Sequence, residues 1–158
     1  MFNDKKKVIT NILIVYIAFV FIQSLVFKFS GAPETQHIFN TIEAWATDTF
    51  GISGLFVPPG IFNAYVIASA ELVASILLLV GMFTARKFLI PVGALMAFGV
   101  ISGAIFFHLF TPLGINVQGD GGALFFMASG VWISSVILMI MNKSFILKAL
   151  CRKECSVS

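Results

Sequence analysis

Charge is scarce in this chain. Asp, Glu, Lys and Arg make up 11% of its 158 residues, against 59% hydrophobic residues and a mean hydropathy of +1.02. That balance excludes a water-soluble globular domain and places the chain in lipid. Histidine is limited to His37 and His108, which are separated by a whole connection and a span, so the spacing of a metal or haem site is missing. Cysteine is limited to Cys151 and Cys155 in the C-terminal tail. Two thiols cannot complete a tetrahedral zinc site, and without a CxxC pair the chain lacks the motif of a self-sufficient thiol oxidoreductase. No cofactor fingerprint and no paired nucleophile and base occur, which argues against autonomous catalysis. Nucleic acid is excluded as a partner too, because the bases behind the net charge of +3 are spread over short membrane flanks.

What is abundant is apolar sequence. Four runs meet the span rule of roughly 17 to 25 residues: 8–29, 61–80, 88–110 and 123–141. The first follows Lys5, Lys6 and Lys7 like a signal peptide, but its apolar stretch is longer than the usual h-region and reads as a retained helix. Between the first two spans, residues 34–50 carry Ile38, Phe39, Ile42, Trp45 and Ala46 at helical spacing, the pattern of an amphipathic helix lying on the surface. Pro58 and Pro59 then turn the chain back, and a Gly-rich segment from Thr111 to Gly122 joins the last two spans. The expected fold is all-α: an integral membrane four-helix bundle with one extra amphipathic helix on the outer side, residues 1–158 forming a single membrane domain.

Charge placement sets the expected orientation. Lys5, Lys6, Lys7, Arg86, Lys87, Lys143, Lys148, Arg152 and Lys153 flank one side, while Glu34, Glu43, Asp48 and Asp120 mark the other, with Lys28 as its only base. The positive-inside rule puts both termini in the cytoplasm of a bacterial-type inner membrane.

Glu71 stands halfway along the second run. Counted from Ile61 and Val80 it lies about 15 Å from either end, near the bilayer midplane. An ionisable group there marks function by default. Ala64, Ala68, Glu71 and Ser75 share one face of this span, and Gly93, Ala97, Ala104 and His108 share one face of the next. Small-residue faces of this kind let helices approach closely, so Glu71 and His108 should face the interior. Lys28 closes the first span with Ser24 one turn below it. Either Lys28 snorkels to headgroups, or it pairs with Glu71 or Asp120 inside a polar cavity. Depth weighs against a direct bond to Glu71 unless the helices tilt or water bridges them. Together Glu71, Lys28, His108, Asp120, Ser24 and Gln23 form the expected ligand-binding pocket, a polar column from the outer surface inward, with no metal site.

These residues carry a resemblance. The end of the first span, SLVFKFSG from Ser24, the second span, ELVASILLLVG from Glu71 with Arg86 after it, GAIFFHL from Gly103, and LGINVQGDGGALF from Leu113 resemble the DoxX family of small four-helix membrane proteins. The resemblance implies a redox-associated membrane component, similar to subunits of thiosulfate to quinone oxidoreductase and of terminal quinol oxidase complexes, or to partners in oxidative-stress and thiol chemistry. It places Lys28, Glu71, Arg86, His108, Asp120 and Gly122 on the family's recurrent polar and glycine positions.

The leading expectation is therefore a quinone-interacting or complex-forming subunit, with a quinone headgroup beside Glu71 and partner redox proteins or a second copy as associates. Two alternatives stay open. One is a small proton- or ion-coupled transporter or channel, and the other is a non-catalytic membrane anchor or assembly factor.

Overall fold

A computed structural model describes residues 2–84, 86, 88–145 and 147. Lys87, Lys148, Arg152, Lys153 and both cysteines, Cys151 and Cys155, lie outside the described residues. Five helices follow in order: α1 (Phe2–Phe29), α2 (Pro33–Phe50), α3 (Ala64–Phe83), α4 (Leu89–Phe110) and α5 (Ala123–Met141). Four of them, all but α2, are long and apolar enough to cross a bilayer. No strand occurs among the described residues, and helices satisfy their own backbone polar groups, as a hydrocarbon solvent requires.

The four long helices close into a ring in which α1 and α4 each pack against both α3 and α5. Ile14, Ile17 and Phe21 of α1 meet Ala74 and Leu78 of α3, Ala97 and Ile101 of α4, and Val131 and Leu138 of α5 in one buried core. Small residues allow the closest approaches. A Cβ on Gly93 would stand 3.2 Å from the Ala74 carbonyl oxygen and 2.9 Å from the Leu78 side chain. The outward faces remain apolar, with Val15, Phe19, Val26, Leu95 and Ile133 among their exposed side chains. Such a surface is stable only against lipid.

Local signals set the helix ends. Pro33 opens α2, where its missing N–H is no loss, and Gly51 closes it with φ +68° while donating to the Thr47 carbonyl at 2.9 Å. Asn63 caps α3: its Oδ1 accepts from the Tyr65 and Val66 amides at 2.9 and 3.1 Å, and its Nδ2 donates to the Gly60 carbonyl at 2.7 Å. This cap starts the helix at Ala64 rather than at Ile61, because the apolar Ile61 and Phe62 belong to the preceding turn. The helix then runs on to Phe83.

At one end of the ring, α2 rests on the connection between α4 and α5. Ile42 packs with Leu113 and Val117, flanked by Phe56, Phe107 and Leu124. Trp45 makes edge contacts with Phe106 and Phe107 at centroid distances of 6.4 and 6.3 Å. The second helix is thus a lid on one end of the ring.

Candidate functional site

Glu71 is buried, at 4% exposure, and so is His108, at 7%. Both face the bundle interior, as the small-residue faces imply. Lys28 donates to Glu71 Oε1 at 2.6 Å, and Ser24 Oγ donates to Oε2 at 3.3 Å. The 2.6 Å separation is that of a strong charge-assisted hydrogen bond. One turn deeper, Ser75 Oγ donates to the Glu71 backbone carbonyl at 2.8 Å.

Depth was the sequence-based argument against a direct Lys28–Glu71 bond, and the helix ends explain why it fails. The rings of Phe29 and Tyr65, 6.2 Å apart, set the end of α1 and the start of α3 level. Counting inward at about 1.5 Å per residue, Ser24 lies about 8 Å below Phe29 and Glu71 about 9 Å below Tyr65. Because Asn63 starts the helix late, Glu71 is the eighth of the 20 residues of α3, on the N-terminal side of its middle. The lysine stem covers the remaining distance.

The other residues of the expected column stand elsewhere. Gly93 packs level with Ala74 and Leu78, and His108 lies about 22 Å outward of Gly93 along α4, more than about 10 Å beyond Glu71. There His108 Nδ1 meets the Gly114 carbonyl at 2.7 Å, so Nδ1 carries the proton, and the ring packs edge-on against Phe125. Asp120 accepts from the Val117, Gly122 and Leu124 amides at 2.9, 2.8 and 3.0 Å. The Leu124 amide first, then those of Gly122 and Val117 with the nearby His108, hold the Asp120 carboxyl below its usual range despite partial burial. Its place before the first turn of α5 also suits the helix dipole. His108 and Asp120 thus brace the α4–α5 connection. Gln23 is exposed on α1 and hydrogen-bonds to none of the described residues.

Glu43 has a role that the sequence did not reveal. Its carboxylate accepts from the Gly54 amide and, at 2.8 Å, from the Phe56 amide, pinning the irregular segment 51–63 to α2. Those two backbone donors, Phe56 first, lower its carboxyl from the ordinary value. The only signal was an acid placed before a glycine-containing segment outside regular structure, whose amides need acceptors.

A ring of four spanning helices with an ion pair bridging two of them defines a small multi-pass helical membrane protein. The chain belongs to the DoxX family, whose model matches residues 11–110, more than half of the sequence. The match takes in Ser24, Lys28, Glu71 and His108 and ends at the last residue of α4. No curated protein and no solved structure matches the chain.

Proposed function

We propose that this DoxX-family protein is a quinone-interacting subunit of a redox complex, taking the ligand headgroup at Lys28 and Glu71. The observation that carries this reading is the ammonium itself. Lys28 is bonded to Glu71 at 2.6 Å, keeps 15% of its side chain exposed, and has no other described partner, so donors remain on its nitrogen. A quinone carbonyl needs one donor in apolar surroundings, and Phe27 and Phe29, exposed on either side of Lys28, offer apolar surface for a tail. Glu71 orients the ammonium, and Ser24 orients Glu71. Bound there, a quinone would supply two-electron carriage within the bilayer. Partner redox proteins would supply the chemistry that this chain lacks.

Thermal unfolding of the purified protein, with and without a short-chain quinone, tests the reading. A ligand-induced rise in wild type that is lost in Glu71→Gln and Lys28→Met is expected. No rise in wild type discards it. One observation favours a second reading, a non-catalytic anchor or assembly subunit: both oxygens of Glu71 are engaged by groups of the chain itself. In that case both variants unfold earlier and neither wild type nor variant responds to quinone. Proteoliposome flux that depends on Glu71 would instead make the protein a transporter.

We also propose that the protein lies in a bacterial inner membrane with both termini cytoplasmic. Lys6 Nζ donates to the Met141 carbonyl at 3.0 Å, gathering the start of α1 and the end of α5 at one end of the ring. That end carries Lys5, Lys6, Lys7, Arg86 and Lys143, which supports this orientation.

A further inference from the structure

A second polar site lies on the lid helix, apart from the ion pair. Between α2 and the turn after α4 is an open depression of about 570 Å³, lined by Asn40, Thr41, Ala44, Trp45 and Asp48. Pro112 forms the opposite wall and His37 stands at one end. None of the polar side chains of Asn40, Thr41 and Asp48 has a hydrogen-bond partner among the described residues. Glu43 and Asp120 differ, since both are held by backbone amides. Asp48 is thus a carboxylate at a cavity mouth with its acceptors unused.

The aromatic wall is fixed in place. Trp45 makes edge contacts with Phe50 at 5.3 Å as well as with Phe106 and Phe107. Trp45 and Asp48 are three residues apart on one helix, a spacing that lets a single cation reach a carboxylate and an indole together. Thr41 and Asp48 stand about 10 Å apart along the axis, with Ala44 and Trp45 between them on this face. A ligand lying there meets neutral donors at one end, from Asn40 and Thr41, and a negative charge at the other. That polarity suits a group with an anionic and a cationic end.

Beside the depression the surface turns apolar. Phe106 touches Trp45 and lies 5.1 Å from Phe110, and Phe50, Phe106 and Phe110 are 61%, 45% and 66% exposed. Trp45 joins the polar hollow to this aromatic strip on α4. A soluble amine would use the first and not the second.

We propose that this hollow binds a zwitterionic aminophospholipid of the phosphatidylethanolamine class. Its ammonium sits between Asp48 and Trp45, its phosphate accepts from Asn40 and Thr41, and its acyl chains follow Phe106 and Phe110. The ammonium donates charge-assisted hydrogen bonds to Asp48, which a quaternary choline cannot do, while an anionic glycerol headgroup offers only neutral hydroxyl donors.

Native mass spectrometry of protein released from nanodiscs holding equal parts phosphatidylethanolamine, phosphatidylcholine and phosphatidylglycerol tests this. Preferential retention of phosphatidylethanolamine, reduced at least fivefold by Asp48→Asn and unchanged by Glu34→Gln, is expected. Glu34→Gln removes the same charge from the same helix away from the hollow, so it separates a site from a general surface potential. Equal retention of the three lipids, or an Asp48→Asn variant that holds phosphatidylethanolamine like wild type, overturns the proposal. Binding of free phosphoethanolamine with the same Asp48 dependence, and no lipid retention, overturns the lipid assignment.

Discussion

Lys28 and Glu71 each make the other's burial tolerable. Removing one partner leaves an uncompensated charge, whereas replacing both by apolar residues of similar volume leaves none. Glu71→Gln should therefore lower stability by about 3 kcal/mol, and the double change Lys28→Met with Glu71→Leu should recover most of the loss. Reversible unfolding in mixed micelles measures both. The two surface acids behave differently. Glu43 and Asp120 have carboxyls lowered from ordinary values of 4.5 and 3.8, so what they contribute to stability is complete above those values and is lost as pH falls through the lower folded ones. Hydrogen exchange, corrected for intrinsic rates, should show the Phe56 amide losing protection as pH falls below 4.5, and the Gly122 and Leu124 amides as it falls below 3.8. Glu43→Gln should flatten the response at Phe56, and Asp120→Asn that at Gly122 and Leu124. Glu71 was conspicuous in the sequence because hydrophobic runs make an acid visible. The tasks of Glu43 and Asp120 were not, since their partners are backbone amides, which every residue carries and no letter of the sequence marks.

Helices were the most legible level. Runs of apolar residues in lipid leave little alternative to a spanning helix, and the amphipathic spacing of residues 34–50 marked α2 within a residue at its start. Ends were harder. Asn63 overrides the hydropathy of Ile61 and Phe62 by offering three hydrogen bonds, and the later start leaves Glu71 nearer the end of α3 that meets Lys28. Asn63→Ala should cost about 1 kcal/mol and Asn63→Asp much less, read from thermal unfolding. Glycines within α4 divide by what they face. A methyl group on Gly93 would press on the Ala74 carbonyl and Leu78, while one on Gly99 would meet nothing within 4 Å. Gly93→Ala should destabilise by about 1 to 3 kcal/mol. Gly99→Ala should instead be neutral or stabilise by up to about 1 kcal/mol, through its helix preference. Unfolding curves of the two variants, taken side by side, check the contrast.

For the molecule as a whole, the proposed orientation makes a direct prediction. A green fluorescent protein fused to the C-terminus should fluoresce, and alkaline phosphatase fused at the same point should stay inactive; the reverse pattern would invert the bundle. Charge counts made that expectation, but they could not say which helices are neighbours. The ring order depends on where small residues permit contact, and composition alone leaves several pairings equally plausible.

The ion pair has a consequence for how the chain is made. Lys28 precedes Glu71 by 43 residues, so α1 leaves the ribosome and meets the translocation machinery with its charged end uncompensated. Until α3 emerges, that lysine can only stay among headgroups, which holds the first helix near the membrane boundary. Arrival of the carboxylate lets both helices settle together as a hairpin. Biogenesis should accordingly proceed in two pairs, with α1 and α3 committed before α4 and α5 arrive to complete the barrel of helices.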